Sequence, residues 1–81
     1  MDKDQLLRRI IIDQAVLGGK PIIKGTRVPV EAILKKLGQN IDAGEILRDF
    51  PRLTKDDIKA AIWYAESLVE DTDVFPLLAA K

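Results

Sequence analysis

Arg27, Arg52, Lys55 and Lys59 are the side chains whose types and spacing could do chemistry in this chain, and that chemistry is attraction to phosphate. Lys55 and Lys59 lie four residues apart, so a helix sets them on one face a turn apart. Arg52 precedes them in the segment Phe50-Pro51-Arg52-Leu53, and Arg48 extends the basic edge. Lys24-Gly25-Thr26-Arg27 places two cations around a glycine, where a backbone can approach phosphate closely, although a turn with solvated charges has the same composition. Gly18-Gly19-Lys20 is superficially a phosphate loop. The Walker pattern, however, needs Ser or Thr after the Lys, and Pro21 here removes a backbone donor, so this segment reads as a turn.

Acid–base and covalent chemistry are poorly provided for. The chain has no His and no Cys, which removes the usual general base, the thiolate and imidazole metal ligands, and any disulfide. Its single Ser, Ser67, falls inside a helical pattern. Asp13, Asp42, Asp49, Asp56 and Asp57 offer carboxylates, but Asp42 and Asp57 have helix-capping roles and no spacing gathers a cluster on one helical face. The expectation is a protein that is not an enzyme and holds no cofactor or metal.

Net charge is zero and unevenly spread. Residues 1–40 carry eight basic and four acidic groups, whereas residues 41–81 carry five basic and nine acidic ones. Either this is ordinary solvated charge, or one surface suits phosphate and another a basic partner. Eighty-one residues predict one domain, and one this small hides only about 60% of its unfolded surface, leaving apolar area for a partner. The first residues are charged and no apolar run nears the roughly 18–20 residues that span a bilayer, so a cytoplasmic location is expected.

The elements that must position these side chains are marked by strong punctuation. Residues 1–28 read as an N-terminal arm with two short strands: the β-branched run Arg8 to Asp13, and Pro21-Ile22-Ile23-Lys24, joined through Gly18-Gly19. A lone two-stranded ribbon is marginal in water. It gains support from the helices or from the same ribbon of a second chain, and a homodimer follows as an expectation.

Residues 29–70 read as three helices. Pro29 suits a first helical position, Val30, Ile33, Leu34 and Leu37 form an apolar stripe, and Gly38 fits just past the end. Asp42 with Glu45 makes a capping box, with Ile41 and Ile46 as its hydrophobic staple, and Pro51 stops that short helix after Phe50. Thr54 with Asp57, and Leu53 with Ile58, repeat the device for a long helix over about 54–70. Taking Ile58 as zero, its stripe Ile58, Ala61, Ile62, Ala65 and Val69 lies between about 300° and 40°. Lys55 and Lys59 then fall near 60° and 100°, and Trp63 near 140°, on one exposed flank.

Three helices with a tight connection before the last outline a helix-turn-helix domain, an outline any three-helix bundle shares. Asp56 and Asp57 in the first turn of the last helix would repel phosphate. A dimer presenting two such helices would be required for useful specificity. Trp63 is a candidate partner contact, or else it touches the N-terminal ribbon. In the C-terminal tail, 71–81, Val74, Phe75, Leu77 and Leu78 are apolar anchors after an acidic stretch. They either pack on their own dimer or dock in a groove of another protein.

Three segments are familiar as well as patterned. Gly19-Lys20-Pro21-Ile22-Ile23-Lys24-Gly25-Thr26-Arg27-Val28-Pro29-Val30, followed by Phe50-Pro51-Arg52-Leu53-Thr54-Lys55-Asp56-Asp57-Ile58 and Ala60-Ala61-Ile62-Trp63-Tyr64-Ala65, resemble the small prokaryotic family known as domain of unknown function 433, over about residues 8–70. That resemblance implies a homeodomain-like helix-turn-helix fold with an N-terminal β arm. It also implies the antitoxin role in type II toxin–antitoxin modules, with a PIN-like ribonuclease as toxin and operator DNA as second partner. Arg27, Arg52, Lys55 and Lys59 are assigned to DNA from the residues themselves, not from the family. The alternative function is a protein-interaction module that touches no nucleic acid.

Overall fold

The computed structural model describes residues 1–70. Helix α1 (Lys3–Leu7) is followed by strand β1 (Ile10–Ile12), a 3-10 turn (Leu17–Gly19), strand β2 (Pro21–Ile23), and helices α2 (Val30–Gly38), α3 (Ala43–Asp49) and α4 (Lys55–Glu70). The architecture is mainly helical with one two-stranded antiparallel sheet. Among the described residues no helix is long and apolar enough to cross a membrane.

The ribbon forms where its β-branched residues fall. Ile10 pairs with Ile23, Ile11 with Ile22, and Ile12 with Pro21. Leu17, Gly18 and Gly19 all take positive φ between the strands, a left-handed path that two glycines follow at no steric cost. After β2, the Thr26 N–H donates to the Ile23 carbonyl and Gly25 sits at φ +80°, the backbone a type II turn asks of glycine. The Thr26 hydroxyl donates to the Ile23 carbonyl and accepts from the Val28 N–H, so the loop is pinned by its own atoms. A Cβ on Gly25 meets nothing within 4 Å. Gly25→Ala is therefore expected to cost about 1 kcal/mol through backbone strain alone, read as a lower urea midpoint with an unchanged slope.

The helix boundaries follow their caps, with three departures from expectation. The N-terminal arm contains a helix that the strand pattern did not announce. Asp2 caps α1 by accepting from the Gln5 N–H, while the Gln5 side chain accepts from the Asp2 N–H. The D-x-x-Q spacing is a capping-box signal legible in the sequence. Secondly, Pro29 is the N-cap of α2, not its first residue, and Gly38 is its last residue, not the position beyond it. The left-handed residue is Asn40, at φ +65°. Its N–H reaches Leu37 and that of Ile41 reaches Lys36, the bond pair of a Schellman motif. Asparagine replaces glycine there because its short polar side chain tolerates this conformation. The cap of α4 matches expectation, Thr54 and Asp57 bonding reciprocally, whereas at α3 half of the expected box forms, Asp42 accepting from the Glu45 N–H.

The third departure is rotational. The core joins Ile23, Val30, Ile33, Ile46, Leu53, Ile58 and Ala61, with Tyr64 and Phe50 packed against it. Full burial of side chains such as Ile33 and Ile46 stabilises by about 1.5–3 kcal/mol each. Helix α4 buries Asp57, Ile58, Ala60 and Ala61, whereas Ile62 stays 47% exposed and Val69 63% exposed. Its buried face is thus turned from the expected stripe toward the Asp57–Ala60–Tyr64 side. Helix α1 packs on α4 as do α2 and α3, so more than one neighbour covers α4.

Candidate nucleic-acid interface

The four cations assigned to phosphate lie at the surface, and the chain's own contacts order part of their setting. Arg27, Arg52, Lys55 and Lys59 are all exposed. Arg52 Nη1 donates to the Gly25 carbonyl at 3.5 Å. This bond joins the α3–α4 turn to the Lys24–Arg27 loop, so Arg52 and the two loop cations share one neighbourhood although 27 residues separate Arg52 from Gly25. Lys55 and Lys59 continue from there along the first turns of α4. Among the described residues, none of Lys24, Arg27, Arg52, Lys55 and Lys59 takes part in an ion pair, while Lys3, Arg9, Lys20 and Lys36 do.

The aspartates that opposed a phosphate surface have their own cation. Arg9 Nη1 donates to Asp57 Oδ1 at 3.0 Å, and Arg9 Nη2 stands 3.8 Å from Asp56 Oδ2. Asp57 is only 5% exposed, and its second oxygen accepts from the Thr54 N–H at 2.9 Å. One carboxylate thus caps α4, anchors the N-terminal arm and balances a guanidinium. Arg9 escapes a reading of the sequence as a site residue because it stands at the head of a strand pattern. Its partner lies 48 residues away, and no local pattern links the two.

Trp63, the partner candidate, is 39% exposed. It touches α1, since the Lys3 ammonium lies 5.0 Å over its ring. Lys3 also donates to Glu66 at 3.1 Å and approaches Glu70. The hydrogen bond to Glu66 holds the Lys3 ammonium above its ordinary pKa, and attraction to Glu66 and Glu70 adds to this. Its contribution to stability is therefore fully present at neutral pH and disappears only as alkali deprotonates the folded amine. Ile62 and Val69 of α4 are exposed as well. Helix α4 accordingly runs from basic at Lys55 and Lys59, through apolar Ile62 and Trp63, to acidic at Glu66 and Glu70. The tail candidates Val74, Phe75, Leu77 and Leu78 lie outside the described residues.

A separate groove of about 250 Å³ opens between α2 and α4, lined by Pro21, Val30, Leu34, Tyr64, Ala65 and Leu68, with the Lys20–Glu31 ion pair at its rim. Among the described residues no group of three His, Cys, Asp or Glu side chains could hold a metal ion.

Comparison with known proteins agrees with this fold. A crystal structure of a DUF433 member protein from Anabaena variabilis superimposes with a TM-score of 0.72 at 34% identity. It covers 83% of this chain, while this chain spans 66% of that one, just under two thirds of its length. An uncharacterized protein of Archaeoglobus fulgidus is 54% identical over 26 residues, 32% of this chain and 72% of that protein. The family model described as protein of unknown function (DUF433) matches residues 10–65, a span that begins in β1 and ends within α4. The chain belongs to the DUF433 family.

Proposed function

We propose that this protein is the antitoxin component of a type II toxin–antitoxin module, which binds operator DNA as a homodimer through a homeodomain-like helix-turn-helix and neutralises a PIN-like ribonuclease. In this reading α3 and α4 are the helix-turn-helix pair and α4 is the recognition helix. The observation that carries the DNA half is the Arg9 bridge to Asp56 and Asp57. Its single positive charge offsets one of the two negative charges at the start of α4, while Lys55, Lys59, Arg52 and Arg27 stay exposed. Phosphate contacts from such side chains supply affinity that falls steeply with salt.

The toxin half is supported by the family resemblance and by the composition of residues 70–78, where acidic groups precede Val74, Phe75, Leu77 and Leu78. A nuclease that attracts RNA through positive charge is complementary to that segment. Two measurements test the pair of roles. Gel shifts on the DNA upstream of the chain's own gene should show binding at low salt that weakens by at least tenfold at moderate salt; no shift at either salt sinks the DNA role. Co-expression with the neighbouring gene product should capture that product with the full chain and lose it with a variant ending at Glu70. Equal capture removes the tail from the interface.

A second reading, a protein-interaction module without nucleic-acid binding, is favoured by the exposure of Ile62, Trp63 and Val69 on α4. The gel shift separates the two.

A further inference from the structure

We propose that β1 is the homodimer contact, pairing antiparallel with the same strand of a second copy across a two-fold axis at Ile11. This deepens the dimer of the functional reading by giving it an interface, and it is tested by association alone, without nucleic acid.

The hydrogen-bond parity of the ribbon points to it. The Ile23 N–H is turned away from β1 and donates to Val28, while the Lys24 N–H donates to the Arg9 carbonyl at 2.7 Å. Antiparallel strands alternate the direction of their main-chain groups from residue to residue. Ile11 therefore exchanges its bonds with Ile22, and the N–H and C=O of Ile10 and Ile12 point to the outer side of β1. No further strand lies there among the described residues. A two-fold axis at Ile11 sets Ile10 opposite the partner's Ile12, and the reverse, so the outward groups of one strand meet those of the other. An axis at Ile10 or Ile12 would also set outward groups opposite outward groups, but it would pair one outward residue of the strand with a residue beyond it, whereas the axis at Ile11 pairs Ile10 and Ile12 within β1.

Charge and exposure select the same partner. The strand is basic before its isoleucines, at Arg8 and Arg9, and acidic after them, at Asp13. Antiparallel self-pairing sets the basic end of one copy against the acidic end of the other, whereas a parallel pairing would stack like charges. Ile12 is 59% exposed, an apolar side chain on an open strand edge that proteins normally cover. In the pair it lies beside the partner's Ile10. The edge is short, so association is expected in the micromolar range that small interfaces give.

Sedimentation and cross-linking test this. The wild-type chain should be dimeric at tens of micromolar. Ile12→Pro removes one outward N–H that β2 does not use, and should yield a monomer with unchanged helical circular dichroism. The chain has no Cys, so Ile11→Cys introduces a single thiol. Across the axis the Cα atoms of this non-bonded pair approach to about 4.5 Å, within disulfide range. Mild oxidation should link that variant at least tenfold faster than Glu45→Cys, on α3. A monomeric wild type at every concentration, or equal linking of the two cysteine variants, overturns the proposal. Should Ile12→Pro fail to fold, the linking ratio alone decides.

Discussion

Asp57→Ala is expected to lower the unfolding free energy by about 3 kcal/mol and the melting temperature by roughly 15 °C. Three losses combine in one substitution. The Thr54 N–H loses its acceptor at the start of α4, a cap whose removal costs about 1 kcal/mol. Arg9 loses its 3.0 Å partner while still half-enclosed between the arm and α4. The void left at a site 5% exposed holds no replacement contacts. Asp57→Asn keeps an oxygen for Thr54 but drops the charge, so it should recover about half of the loss. Small domains hold on the order of 5 kcal/mol in total, so the alanine variant should show measurable unfolding at 37 °C by circular dichroism and urea titration. A loss under about 1 kcal/mol for Asp57→Ala would show that the arm is held by α1 alone.

Lys55→Glu with Lys59→Glu should weaken operator binding more than 100-fold at low salt and reduce the salt slope by about one for each phosphate that is no longer neutralised. The fold should survive this change, because both side chains are exposed and surface substitutions usually lie within about 0.5 kcal/mol. At the first position of α4 a glutamate is favoured over lysine by the helix dipole, so Lys55→Glu should even raise the melting temperature slightly. Disappearance of the gel shift therefore cannot be ascribed to unfolding. Arg27→Ala and Arg52→Ala should each weaken binding less, since they remove one cation without reversing its charge. If the double variant shifts operator DNA as well as the wild type does, α4 is not the recognition helix.

Much of the candidate site was legible because its determinants are local. The cap of α3 at Asp42 and that of α4 at Thr54 each involve residues three apart, and both formed as the spacing implied. Lys55 and Lys59 face solvent as a helical wheel placed them. The same wheel assigned Ile62 and Val69 to the core, and there it failed. It ranks faces of an isolated helix by hydrophobicity, but α1 packs on α4 as well as α2 and α3 do, and the buried residues include Asp57 and Ala60. The apolar side chains left over, Ile62 and Val69, became surface.

What the sequence determined by itself, then, is the set of elements: β-branched runs, glycine turns, capping boxes and the cations on α4, all encoded within four residues of where they act. Tertiary structure alone decided which face of α4 is buried, that Arg52 meets the Gly25 carbonyl, and that Arg9 answers Asp56 and Asp57. Those contacts join residues 27, 47 and 48 positions apart. Their strength depends on distance and enclosure in the folded chain, which no periodicity along the sequence expresses.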